Sequence, residues 1–169
     1  MKDHPAIQRA CAFLLFSLFA NLAIAGGIEV RTLAGQTSSL AEQISANHFT
    51  VVMMWTTYCP VCKKEYPEVS AFHEAHVGKD AEVLGISLDG YGELNKVKEF
   101  ISKKPFTFPS VIAEPARMAK SFEAATGDKF TGTPTYLVFD PKRQLVAARS
   151  GDLTRDVLEN FIRKHAAVH

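Results

Sequence analysis

Apolar positions along the chain fall into short continuous runs and into runs that recur every three or four residues, and together these outline the elements. The first run, Ala10 to Ile24, is interrupted only by Ser17 and Asn21 and follows the basic residues Lys2 and Arg9. It is shorter than the roughly 20 residues a membrane-spanning helix needs. Ala23-Ile24-Ala25 then supplies the small-x-small pattern cut by a signal peptidase. Residues 1–25 therefore read as a cleaved signal peptide and residues 26–169 as a single domain.

Ile28 to Leu33 alternates weakly and predicts an edge strand; Ser38 to Ser45 predicts a short helix or a turn. Phe49-Thr50-Val51-Val52-Met53-Met54-Trp55 is too short for a useful helix and predicts a buried strand. A helix is expected from Pro60 to about His76, with Tyr66, Val69, Phe72 and His73 facing a core and Pro67 bending it. Ala81 to Leu88 predicts the next strand, and Leu94, Val97, Phe100 and Ile101 an amphipathic helix. Pro105 and Pro109 bracket a loop before a short strand at Ser110 to Ile112, and Pro115 suits the first turn of a helix running to about Phe122. Thr135 to Phe139 and Leu145 to Arg149 predict two strands joined by the turn Asp140-Pro141-Lys142-Arg143-Gln144. Leu153, Val157, Leu158, Phe161 and Ile162 mark a closing helix. The order β-α-β-α-β-α-β-β-α describes an α/β sheet, parallel first and ending in an antiparallel hairpin.

Charge narrows the functional classes. The chain carries 19 Lys and Arg against 18 Asp and Glu, and loss of residues 1–25 removes Lys2, Arg9 and Asp3, which balances the signs. A neutral chain without a basic run has no electrostatic reason to bind nucleic acid or a membrane surface, and neither is expected as a partner. Cysteine usage narrows them further. Cys11 lies in the signal peptide, without the context of a lipid-attachment site, so Cys59 and Cys62 are the only thiols expected in the exported domain. Export places them where disulfides persist, in the periplasm or an equivalent compartment.

Cys59-Pro60-Val61-Cys62 falls where a strand gives way to a helix. A sulfur at a helix N-terminus meets unpaired backbone N–H groups and the positive end of the helix dipole, which favour a thiolate. A second sulfur one turn later is placed to resolve the mixed disulfide that the first would form with a substrate. Lys63 and Lys64 add positive charge and Glu65 opposes it. Two other readings stand beside this one. A structural staple closing so short a loop contributes only about 2 kcal/mol in the chain-entropy model. Half a zinc site would need two more ligands, and His48, His73, His76, His165 and His169 have no metal-like spacing. No metal ligand is assigned.

The segment Trp55-Thr56-Thr57-Tyr58-Cys59-Pro60-Val61-Cys62-Lys63-Lys64-Glu65-Tyr66-Pro67 resembles the active-site segment of the TlpA/ResA-like branch of the thioredoxin superfamily. Gly132-Thr133-Pro134-Thr135, followed by an apolar strand, resembles that family's cis-proline loop, and the resemblance runs over residues 27 to 165. It implies a thioredoxin fold: a mixed central sheet with helices on both faces, a TlpA/ResA-like insertion and an N-terminal strand extension. It also implies that Cys59 attacks, Cys62 resolves, and Pro134 is cis and lies against the dithiol. Thr133 would then offer its backbone to substrate, and Trp55 would pack beside the site if it is not an ordinary core tryptophan. Thioredoxins proper carry a buried acid six residues before the first cysteine, where this chain has Met53. Asp89 and Glu93 are the candidates for that proton-relay role, with a solvated loop or helix cap as the alternative for each.

The activity implied is that of a monomeric thiol:disulfide oxidoreductase without a cofactor. It would act as a reductant on exported proteins bearing disulfides, supplied by a membrane dithiol donor. Apocytochrome c, one specific client or general rescue of oxidised thiols all fit as substrate. An oxidase or isomerase stays open, because Pro60-Val61 does not fix the potential. A peroxidase matches Thr56-Thr57-Tyr58-Cys59, but the proline its motif wants four residues earlier is Val52. Copper-handling relatives of thioredoxins use a three-residue gap between cysteines, against two here.

Overall fold

Phe49–Trp55, buried along its whole length, is the inner strand on which the rest is built. A strand covered on both faces tolerates no polar alternation, which is why this run reads as continuously apolar. The computed structural model describes residues 27–104 and 106–166; the expected signal peptide, Cys11 and Pro105 lie outside them. The elements are β1 (Glu29–Thr32), β2 (Thr37–Ser39), α1 (Leu40–Gln43), β3 (Phe49–Trp55), α2 (Pro60–His76) and β4 (Ala81–Ser87). After a short 3-10 turn (Tyr91–Glu93) come α3 (Leu94–Ser102), β5 (Ser110–Ile112), α4 (Pro115–Thr126), β6 (Thr135–Phe139), β7 (Leu145–Ser150) and α5 (Arg155–Ala166).

The strands form one sheet in the order β2-β1-β5-β4-β3-β6-β7. Strands β3, β4 and β5 are mutually parallel neighbours, and β6 and β7 return antiparallel on one side. On the other side β1 pairs antiparallel with β5 and β2 with β1. This is the expected mixed α/β sheet, with α3 and β5 inserted between β4 and α4 and a strand extension at the N-terminus.

Alternation along β3 sends side chains to two separate cores. Val51, Met53 and Trp55 pack with Cys62, Tyr66, Val69 and Phe72 of α2, Val97 of α3 and Leu158 and Ile162 of α5. Val52 and Met54 pack on the opposite face with Leu40, Met118 and Phe122, from α1 and α4. Helices therefore cover both faces.

Three local expectations change. Ile28–Leu33 is not the edge: β1 lies inside β2, whose Thr-Ser-Ser is polar and gives the hydrophobic pattern nothing to detect. The stretch read as a short helix or turn is thus part strand and part helix, Ser39 N–H donating to Glu42 at 3.0 Å where they meet. The last helix begins at Arg155, so Leu153 precedes it. Helix α2 continues through Pro67 to His76; both Pro67 and Lys63, whose carbonyl loses a partner there, are exposed.

One backbone approach is close enough to predict a measurable cost. A Cβ on Gly85 of β4 would lie 2.3 Å from Ser110 Oγ, 3.0 Å from Trp55 Nε1 and 3.1 Å from Phe108 Cε2. Gly85→Ala is expected to lower stability by about 1–3 kcal/mol through overpacking. Denaturant unfolding checks this, and an unchanged midpoint would show that the Ser110 rotamer absorbs the methyl group.

Candidate active site

Cys59 caps α2 with extended backbone, Pro60 takes the first helical position, and the helix starts where β3 has delivered the chain through Thr56-Thr57-Tyr58. A proline there loses nothing, because its missing N–H has no intrahelical partner. Cys62 N–H donates to Cys59 Sγ at 3.1 Å. The two sulfurs are bonded, with Cα atoms 5.3 Å apart. Cys59 is 5% exposed and Cys62 fully buried. Tyr58 and Val61 flank them on the surface, Tyr58 69% exposed.

The Thr133–Pro134 peptide bond is cis, and the Thr133 carbonyl oxygen lies 3.5 Å from Cys59 Sγ across 74 residues of sequence. Pro134 has no N–H, and its own carbonyl accepts from Gly151 N–H at 3.0 Å. Between this loop and the start of α2 runs a groove of about 590 Å³, lined among others by Val61, Lys64, Glu65, Thr133, Pro134 and Leu153. The structure thus brings together four of the expected site residues, Cys59, Cys62, Thr133 and Pro134. Trp55 belongs to the same core as both cysteines, yet its own neighbours are aromatic: Tyr66, Phe100 and Phe106, with ring centroids 5.7, 5.6 and 5.0 Å away.

The two candidate relay acids separate. Asp89, half-buried, accepts from Thr57 N–H at 3.0 Å, Thr57 Oγ1 at 2.6 Å and Ser87 Oγ at 2.7 Å, which ties the loop before Cys59 to the end of β4. Glu93 is half exposed at the 3-10 turn, and its partner is Lys96 at 3.5 Å. Asp89→Ala is expected to destabilise the protein by about 1–3 kcal/mol, since the buried Thr57 donors lose their acceptor. Thermal unfolding checks it; a variant as stable as the parent would mean that water replaces the carboxylate without loss.

A third acid has no motif in the sequence to mark it. Glu65, 6% exposed, turns into the groove wall rather than toward solvent. Tyr136 OH donates to its Oε2 at 2.6 Å and Leu153 N–H to its Oε1 at 2.8 Å. Burial pushes the Glu65 carboxyl above the usual carboxylate range, against the two hydrogen bonds that favour its charged form. Tyr136 stands directly opposite Met53 in the β3–β6 register. Glu65 thus lies on α2 three residues after Cys62, and its phenol partner stands opposite Met53.

Residues 23–148 match the AhpC/TSA family. Among curated proteins the chain is 25% identical over 134 residues to the sporulation thiol-disulfide oxidoreductase A of Bacillus subtilis (strain 168), covering 78% of this chain and 75% of that protein. It is 24% identical over 110 residues to the thiol-disulfide oxidoreductase ResA of Bacillus thuringiensis subsp. konkukian (strain 97-27), covering 65% of this chain and 59% of that protein. The crystal structure of a thiol:disulfide interchange protein, a thioredoxin family protein from Chlorobium tepidum TLS, superposes with a TM-score of 0.67 at 19% identity, over 83% of this chain and 93% of that one. With a thioredoxin fold, a closed dithiol at a helix N-terminus and a family match over most of its length, the chain belongs to the AhpC/TSA family.

Proposed function

We propose that this thiol:disulfide oxidoreductase, of the ResA and sporulation-oxidoreductase type, works as a reductant of disulfides in exported proteins. The observation that carries the reading is the dithiol itself: one sulfur capping a helix N-terminus, its partner fully buried one turn on, both beside the loop that forms one wall of a groove. An extended client segment lies along Thr133, in the manner of a strand added to an edge. The Cys59 thiolate attacks a client sulfur; the client S–S bond breaks, a Cys59–client bond forms, and one client thiolate leaves. The Cys62 thiol gives up its proton, attacks Cys59 Sγ and releases the second client thiolate. The dithiol ends oxidised by two electrons, in the closed state seen here.

Cys62 is sealed from solvent, so its proton needs an acceptor inside the protein. Glu65 fits that role: a carboxylate raised by burial is a stronger base than a solvated one, and its place in the groove wall gives the proton a route out. Asp89 serves instead to hold the approach to Cys59, and Glu93 is a surface residue of the insertion. A membrane dithiol protein would return the electrons, consistent with the leader expected at residues 1–25.

Direction of electron flow is tested by equilibrating the protein with thiol–disulfide buffers and reading the ratio of closed to open dithiol. A potential near that of thioredoxin, about −270 mV, supports a reductant; one near that of DsbA, about −120 mV, makes the protein an oxidant. Consumption of hydrogen peroxide by the reduced protein at a rate matching its disulfide reduction would favour the peroxidase reading instead.

A further inference from the structure

Tyr136 has no part in the chemistry just described, yet it is placed to control it. It sits on β6, 1% exposed, and its ring lies in the core that contains both cysteines. Its hydroxyl reaches across to α2 and donates to Glu65 Oε2 at 2.6 Å, while Leu153 N–H holds Oε1 from the segment before α5. Three separate elements thus meet on one carboxylate. We propose that Tyr136 is a positioning residue for the resolving step: its phenol fixes the Glu65 carboxylate in the charged, accepting form beside the groove.

The physical case rests on what each donor can do. A backbone N–H always donates, but it orients only one of the two carboxylate oxygens. The second oxygen would be free to turn without the phenol, since the terminal torsion of a glutamate is broad. A hydrogen bond to a charged acceptor in a buried site is among the strong ones. The phenol is also a constant donor: burial and the nearby Glu65 carboxylate push its ionisation well above the ordinary tyrosine range. It therefore stays protonated while Glu65 gains and loses a proton. The charges that bear on this carboxylate are Asp152 from the segment before α5, which favours its neutral form, and Arg149 of β7, which favours its charged form. Lys64 and Glu68 of α2 line the same groove. Asp152 and Arg149 act on the carboxylate through their charge, whereas Tyr136 and Leu153 bond its oxygens directly.

This inference rests on the reading of Glu65 as the acceptor for the Cys62 proton, and its test separates the two. A mixed disulfide is made at Cys59 with a small aromatic thiol, and its resolution by Cys62 is followed by release of that thiol across the pH range. In Tyr136→Phe the midpoint of the profile is expected to move up by about one pH unit, with resolution about tenfold slower below it and recovering above it. The first attack on a model disulfide is expected to change less than twofold. Adding Tyr136→Phe to Glu65→Gln is expected to cause no further slowing, because the phenol acts through the carboxylate. A titration of the Glu65 side chain by carbon NMR reads the same shift without turnover, and so stays decisive if Tyr136→Phe is less stable than the parent. An unmoved profile, equal slowing of both steps, or additive loss in the double variant would overturn the role of Tyr136. An intact profile in Glu65→Gln alone would overturn the reading of Glu65 instead.

Discussion

With Cys59 replaced by alanine, disulfide reduction is expected to stop entirely; with Cys62 replaced, it is expected to stop halfway. The two sulfurs occupy unlike places. Cys59 accepts the Cys62 N–H at 3.1 Å and lies 3.5 Å from the Thr133 carbonyl of the groove wall, while Cys62 is wholly enclosed. Without Cys59 no sulfur reaches a client, and the loss of turnover is complete. Without Cys62 the first exchange still runs, but the Cys59–client bond has no internal partner to break it. Cys62→Ala should therefore accumulate covalent adducts visible on non-reducing gels and released by added thiol. Equal inactivity of both variants, with no adduct from either, would refute the two-step exchange. The same trap, expressed in the exported compartment, captures the clients themselves.

Glu65→Gln is expected to slow resolution by about 100-fold or more while leaving the first attack nearly intact, the loss typical of a missing general base. The parent's resolution rate should rise with pH through the Glu65 ionisation, above the ordinary carboxylate value of 4.5, and the variant should lose that inflection. Stability carries a second signature. Burial raises the folded-state pKa of Glu65, so at pH below the unfolded carboxyl's value both states are protonated and nothing is lost. As pH rises through the folded-state value the protein must ionise a buried acid, and this contribution to stability disappears. The parent should therefore lose stability relative to Glu65→Gln between acid and neutral pH. A stability difference constant with pH would show that Glu65 is ionised as readily folded as unfolded.

Much of the architecture was legible because the determining signal was local. The run Phe49–Trp55 announced a strand buried on both faces, and Cys59-Pro60 announced the start of a helix. Strand β2 was not legible, because Thr37–Ser39 pairs through its backbone alone and its side chains are indifferent to the sheet. Glu65 is the instructive omission. It follows two lysines and so reads as part of a solvated, charged turn. Helical spacing told a different story: Cys62, Glu65, Tyr66, Val69, Phe72 and His73 lie at intervals of three and four, and all are buried. The carboxylate belonged to that stripe from the start. What spacing does not reveal is its partners, since Tyr136 and Leu153 arrive from 71 and 88 residues away. Asp89 is a second case: the sequence offers it as a loop acid, and the structure adds the hydrogen bonds from Thr57 and Ser87 that tie this loop to the end of β4.

The two cores on either side of the sheet have a consequence for how such a protein changes over generations or in the laboratory. The dithiol and Tyr136 pack with α2, α3 and α5 on one side, where Glu65 also lies on α2. The other side, under α1 and α4, contains neither cysteine nor any residue of the groove. Substitutions in layers that share no partners combine nearly additively. The α1–α4 side is thus the half that inheritance and engineering are free to rewrite, by repacking, by surface recharging or by grafting a tether. Such changes alter where the molecule resides and whom it meets while its chemistry is passed on unaltered.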